Sequence, residues 1–247
     1  MKIQFAVPLL ILMAGASAAA AAGGPVTYEV NGVKYEGYYT PAGDKAPLVL
    51  MIHDWDGIGD YEIKRSEMLA KLGYAVFAVD LFGAGVRPAT LEDRRKQTGA
   101  LYQDRQKMRT LMTAGLEKAK SMGADVANAV AMGYCFGGAA VLEMARSGAD
   151  LKGFVTFHGG LATPEGQDYA QVKGSVLVLH GTADASVTME DFANLAKAME
   201  SQGVKHEMIT YSGAPHAFTV FGIEAYREDA DKKSWKRFTE YLAATLK

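Results

Sequence analysis

The chain has 247 residues, 49% of them apolar and 22% charged, with a formal net charge of −2. That balance supports a packed core and excludes a disordered or polybasic chain, and no basic block marks a nucleic-acid surface. A single cysteine, Cys135, excludes an internal disulfide framework.

In chain order, residues 1–22 join an early lysine to an apolar run, 5–13, and then to an alanine-rich tract with Ala16-Ser17-Ala18 as a cleavage triplet. That is the order of a secretory signal, so the expectation is an exported protein, periplasmic or secreted. The run is too short to cross a bilayer and no later segment approaches roughly eighteen uninterrupted apolar residues, so no membrane span is expected. Residues 25–247 read as one domain. TYEVNGVKYEGYYTP alternates and turns at Asn31-Gly32, a two-residue hairpin signal. Apolar runs of strand length then recur at 48–52, 75–79, 129–132, 154–157, 176–179 and 208–211, separated by segments of helical period. This predicts an α/β fold: a mainly parallel central sheet with helices on both faces and an N-terminal antiparallel hairpin.

Helices are expected over 62–72, closed by Gly73, and from Thr188, whose capping partner is Asp191. In the latter, Phe192, Leu195 and Met199 share one face and Gly203 lies past the end. Trp235, Phe238 and Leu242 mark the inner face of a C-terminal helix. Between Leu91 and Met122 one or two helices are expected with an interruption near Thr98-Gly99, the EDRRKQ run being a solvated face.

Cys135 stands between the strand-like NAVAM and the helix-like GAAVLEMA, with glycine two residues before and two after. Free cysteine is often simply buried, but this G-x-C-x-G setting matches the nucleophile elbow of α/β-hydrolases. Glycines are needed there because side chains would collide with the neighbouring strand and helix. In that fold an acid and a histidine follow on loops after later strands. HGTAD ends in Asp184 and SGAPHAF contains His216, each after such a run. A turn-capping Asp184 and a surface-loop His216 are the alternative readings. His53, His158 and His180 read as structural or pocket-lining. No pair has zinc-motif spacing, so no metal and no cofactor is expected.

On KYEGYYTP, MIHDWDGIGDY, GYCFGG, HGTAD and PHAF the chain resembles the dienelactone hydrolase family of α/β-hydrolases, in which cysteine takes the place of serine. The resemblance covers nearly all of residues 25–247. It implies a triad of Cys135, Asp184 and His216, with an oxyanion hole from the N–H groups of Phe136 and Trp55. It also implies a substrate-carboxylate clamp of two arginines and a glutamate facing the thiol. Here Val220 stands at one clamp position, Arg87 is displaced along DLFGAGVRP, and Asp54 replaces the glutamate, one methylene shorter. Tyr61, Phe82, Tyr134 and Phe218, with Trp55 and Phe136, are the candidate pocket aromatics. The reading is hydrolysis of a small-molecule ester or lactone through an acyl-enzyme, by a monomer without nucleic-acid partners. A non-catalytic binding module for an exported small molecule is the alternative, followed by a thiol redox protein.

Overall fold

The computed structural model describes residues 22–246. The expected signal segment lies outside the described residues apart from Ala22. The chain opens with β1 (Gly24–Val30) and β2 (Val33–Thr40), paired antiparallel around Asn31 and Gly32. Both turn residues have positive φ, 51° and 77°, as a two-residue turn matched to strand twist requires.

There follow β3 (Pro47–Ile52), α1 (Asp60–Ala70), β4 (Ala75–Val79), α2 (Leu91–Gln103), α3 (Arg105–Ser121), β5 (Asp125–Tyr134) and α4 (Phe136–Arg146). The chain then runs through β6 (Gly153–Phe157), β7 (Ser175–Gly181), α5 (Met189–Ser201), β8 (His206–Tyr211) and α6 (Glu228–Thr245). The strands form one sheet in the order β1-β2-β4-β3-β5-β6-β7-β8, antiparallel through β2–β4 and parallel from β4 to β8.

Because side chains alternate across a strand, β3 feeds two cores. Leu48, Leu50 and Ile52 pack with Met108, Leu111 and Met112 of α3, with α4, and with Leu195 and Met199 of α5. Val49 and Met51 face the other way, onto Leu69 of α1 and Phe238 and Leu242 of α6. Both faces are covered, which is why the central runs are apolar throughout rather than alternating. Thr188 and Asp191 cap α5 reciprocally, and Gly73 and Gly203 past α1 and α5 take positive φ.

One boundary differs from the sequence expectation. The break in the 91–122 segment falls at Asp104, not at Thr98-Gly99. Asp104 leaves helical geometry and its carboxylate accepts from Lys107 N–H, starting α3, whereas the Thr98 hydroxyl bonds back to the Arg94 carbonyl inside α2.

After β3 the chain goes to β4 on one side and, by way of α2 and α3, to β5 on the other. The C-terminal ends of β3 and β5 therefore border the crevice where the strand order reverses, the usual ligand site of open α/β sheets.

Candidate active site

That crevice holds Cys135. It follows β5 directly and precedes α4, with φ 49° and ψ −113°, a backbone conformation a non-glycine residue adopts only when its surroundings force it. The forcing contacts are specific. A Cβ on Gly133 would lie 2.3 Å from the Gly137 carbonyl, one on Gly137 2.3 Å from the Ile52 carbonyl oxygen, and one on Gly138 2.3 Å from Thr156 Oγ1. The helix thus meets β3 backbone to backbone and β6 at the Thr156 side chain, and the thiol is lifted to the crevice floor at a helix N-terminus.

Two loops deliver its partners. Past β7, Asp184 Oδ1 accepts from the N–H groups of Ser186 and Val187 at 2.9 Å each, which fixes the carboxylate. Its Oδ2 accepts from His216 Nδ1 at 2.7 Å, and His216 Nε2 lies 3.1 Å from Cys135 Sγ. Burial pushes the Asp184 carboxyl upward, but the His216 hydrogen bond and the two N–H donors outweigh it and hold it below the usual range. His216 sits on the loop after β8, beside the buried ring of His158, 5.3 Å away. Burial, reinforced by His216, holds His158 well below the usual imidazole range, so it stays neutral while its Nε2 bonds Thr219 Oγ1 at 2.8 Å.

The third approach to the thiol is Asp54, at the end of β3. Its carboxylate hydrogen-bonds Cys135 and also accepts from the Trp55 N–H at 2.5 Å. Burial first, then the charge of Asp54, pushes the thiol well above its ordinary range, so the resting sulfur is a thiol rather than a thiolate. Burial raises Asp54 itself to about 6. Behind it Glu62, raised by burial to about 8, accepts from the N–H groups of Asp54 at 3.4 Å and Gly59 at 2.9 Å. The Phe136 N–H is directed at the sulfur from the first turn of α4.

The dienelactone hydrolase family model matches residues 36–246 of this chain. The chain belongs to that family. It is accordingly a hydrolase of carboxylic esters or lactones. A relative in Methylorubrum extorquens, named "putative carboxymethylenebutenolidase", is 26% identical over 212 residues, covering 81% of this chain and 72% of its own. Among solved structures, m3DLH superposes with a TM-score of 0.85 at 30% identity, covering 91% of this chain and 98% of its own. A dienelactone hydrolase-like promiscuous phosphotriesterase from metagenomic libraries also gives 0.85, at 28% identity over 93% of this chain and all of its own.

In this dienelactone hydrolase family member the crevice above Cys135 is a cavity of about 520 Å³. Trp55, Phe136, Val187, Ala217, Val220 and Ile223 supply its apolar wall. The other aromatic candidates lie elsewhere. Tyr134 is fully buried against Tyr61 and Phe157, and Phe218 against His158 and Tyr211. Phe82 backs the site from behind, between His53 and Phe136, and Tyr61 bonds Thr219. Tyr134 and Phe218 point into a core and Tyr61 faces a neighbouring cavity, directions residue type alone does not encode. Arg87 faces a neighbouring cavity, with Nε on the Ile58 carbonyl at 2.8 Å and Nη1 on that of Val86 at 2.9 Å, so it is not aimed at the thiol.

Among the cavity residues that escaped the sequence reading, Arg94, Thr98 and Tyr102 all lie on α2. Arg94 belongs to the EDRRKQ run assigned to a solvated face. It reaches back over the Trp55 ring, 5.2 Å from its centroid, with Nη2 3.5 Å from Asp56 and Nε 3.2 Å from the Pro88 carbonyl. A helical spacing of four between 94, 98 and 102 was the available signal. The buried histidines bond backbone groups: His53 donates from Nδ1 to the Asp54 carbonyl and accepts from Leu81 N–H, and His180 bonds the Val187 carbonyl.

Proposed function

We propose that the chain hydrolyses its ester or lactone through a thioester on Cys135, with His216 as the proton carrier and Asp184 as its orienting acid. The observation that carries this reading is the unbroken path from Sγ to Nε2, 3.1 Å, and from Nδ1 to Asp184, 2.7 Å, at the strained elbow.

The substrate carbonyl enters above the sulfur and its oxygen takes the N–H groups of Phe136 and Trp55, the latter exchanging its bond to Asp54 for one to the incoming oxygen. His216 Nε2 accepts the thiol proton as Sγ forms its bond to the carbonyl carbon. The tetrahedral intermediate collapses with loss of the alkoxide, which takes that proton from Nε2. Water then gives a proton to Nε2 and adds to the thioester, and the second collapse releases the acid and returns the proton to sulfur. Proton removal is coupled to attack because the resting thiol is held above its ordinary range. Near the sulfur the cavity offers apolar walls and two carboxylates, Asp54 and Asp56, while Arg94 is engaged by Asp56. The part of the substrate next to the scissile carbonyl is therefore uncharged.

Replacement of Cys135 by Ala is the test. We expect p-nitrophenyl acetate turnover to fall by about 10³-fold or more, the melting transition to stay unchanged, and an acetylated Cys135 to be trapped by acid quench of the wild type. Wild-type turnover rates in Cys135→Ala overturn the proposal.

A further inference from the structure

The cavity over Cys135 does not end at Tyr102. A second cavity of about 330 Å³ shares Tyr102, Gly160, Ser186 and Val187 with it and adds Arg105, Arg146 and Asp191 to the walls. A substrate seated on the thiol thus has a continuation past the Tyr102 ring, towards the start of α3.

The charge there is unbalanced. Glu143 of α4 is fully buried and accepts from Arg105 Nη1 at 3.0 Å, Arg109 Nε at 2.8 Å, Arg146 Nη2 at 2.8 Å and Gln167 Nε2 at 3.2 Å. Burial pushes its carboxyl upward, but Arg146 and Arg109 outweigh this and keep it below the usual range, so it is ionised. Three guanidiniums therefore share one carboxylate. Asp191, the other acid on this cavity, holds the Thr188 cap of α5 with Oδ2.

The three cations are not equivalent. Arg146 is 7% exposed and spends Nε on Gln167, Nη1 on Tyr169 and Nη2 on Glu143. Arg109 commits Nε and Nη2 to Glu143 and does not reach the cavity lining. Arg105 differs. Among the described residues its partners are Glu143, through Nη1, and the Tyr102 ring, 5.5 Å from its guanidinium carbon, and its side chain is 27% exposed. It keeps several N–H donors for a planar anion, in a cluster whose net charge is positive.

We propose that Arg105 anchors a carboxylate carried by the substrate remote from the scissile bond, so that the preferred substrates are monoanionic esters with an apolar spacer between ester and charge. The proposal rests on Cys135 being the nucleophile. Asp54 on the thiol side repels the same anion, Asp56 being offset by Arg94, which sets the direction of binding: ester at the thiol, spacer along Tyr102 and Val187, carboxylate at Arg105.

The test compares p-nitrophenyl hydrogen suberate with its terminal amide, p-nitrophenyl hydrogen succinate with its amide, and the acetate of a long ω-hydroxyalkanoate with that of its amide. In the wild type we expect the anion to be favoured about fivefold in kcat/KM, through KM, for at least one long pair, and not for the succinate pair, whose charge stays near Asp54. The preference should shrink as salt is raised. It should vanish in Arg105→Gln, invert in Arg105→Glu and persist in Arg105→Lys, with p-nitrophenyl acetate turnover unchanged throughout. A wild type with no charge preference on either long pair overturns the proposal whatever the variants do, as does a preference that survives in Arg105→Gln. A wild type inert towards p-nitrophenyl acetate as well fails the thioester mechanism instead.

Discussion

Asp54 bonds both groups that change partner in the proposed mechanism, the Cys135 thiol and the Trp55 N–H. From sequence the aspartate looked a methylene too short for the first of these. Behind it Glu62 accepts from the Asp54 N–H at 3.4 Å from the first turn of α1, an interaction spanning eight residues that no local pattern announces. The charge of the carboxylate adds to burial in keeping the thiol protonated, and its share is measurable. In Asp54→Asn the thiol pKa should fall, so alkylation by iodoacetamide at pH 7 should run about tenfold faster than in the wild type. Asp54 itself titrates at about 6, so below that pH the wild-type carboxyl is neutral and the two rates should converge. A ratio that stays constant from pH 5 to pH 8, roughly one unit below and two above that midpoint, counts against the charge as cause.

At the scale of elements, what was legible was what the chain writes contiguously. The elbow glycines, the hairpin turn at Asn31-Gly32 and the capping pair Thr188–Asp191 each act within a few residues, and each stands where the sequence put it. Cys135, Asp184 and His216 were legible for a related reason: parallel strands bring their C-terminal loops to one edge, so position after a strand becomes proximity in space. The contacts made by helix faces were not. Arg94 and Tyr102 look like surface residues on a weakly amphipathic α2, and only the packing of that helix over the crevice gives them a role. The elbow makes its own prediction. A methyl group at Gly137 meets backbone oxygens of Ile52 at 2.3 Å and His53 at 2.6 Å, neither of which is a movable side-chain tip. Gly137→Ala should therefore push α4 away from β3, costing about 1–3 kcal/mol in urea unfolding. It should also lower kcat/KM by about 100-fold, since α4 starts at the Phe136 N–H and is joined directly to Cys135. Wild-type kinetics in a stably folded Gly137→Ala would mean that the close approach does not position the nucleophile.

Across the whole molecule the site depends on a tie behind the sheet. Arg65 of α1 is 1% exposed and pairs with Asp231 of α6, while its Nη2 donates to the Thr219 carbonyl at 3.0 Å and the rings of Phe221 and Trp235 lie 4.3 and 4.7 Å from its guanidinium carbon. Tyr61 continues the tie to Thr219 Oγ1, which bonds His158. Thr219 is three residues past His216, so the loop that carries His216 is held from below by two helices on the face opposite α4. A buried ion pair of this kind contributes little net stability against an apolar pair of equal volume, but loss of one member leaves a charge in the core. Asp231→Ala should cost about 3–5 kcal/mol in urea unfolding, and Arg65→Met combined with Asp231→Leu should recover most of it. Packing would then be restored but not the donor to the Thr219 carbonyl, so the double variant should remain slow in p-nitrophenyl acetate turnover while folding normally. If it is instead as active as the wild type, the tie serves stability alone and the His216 loop is positioned by Asp184 and its own turn.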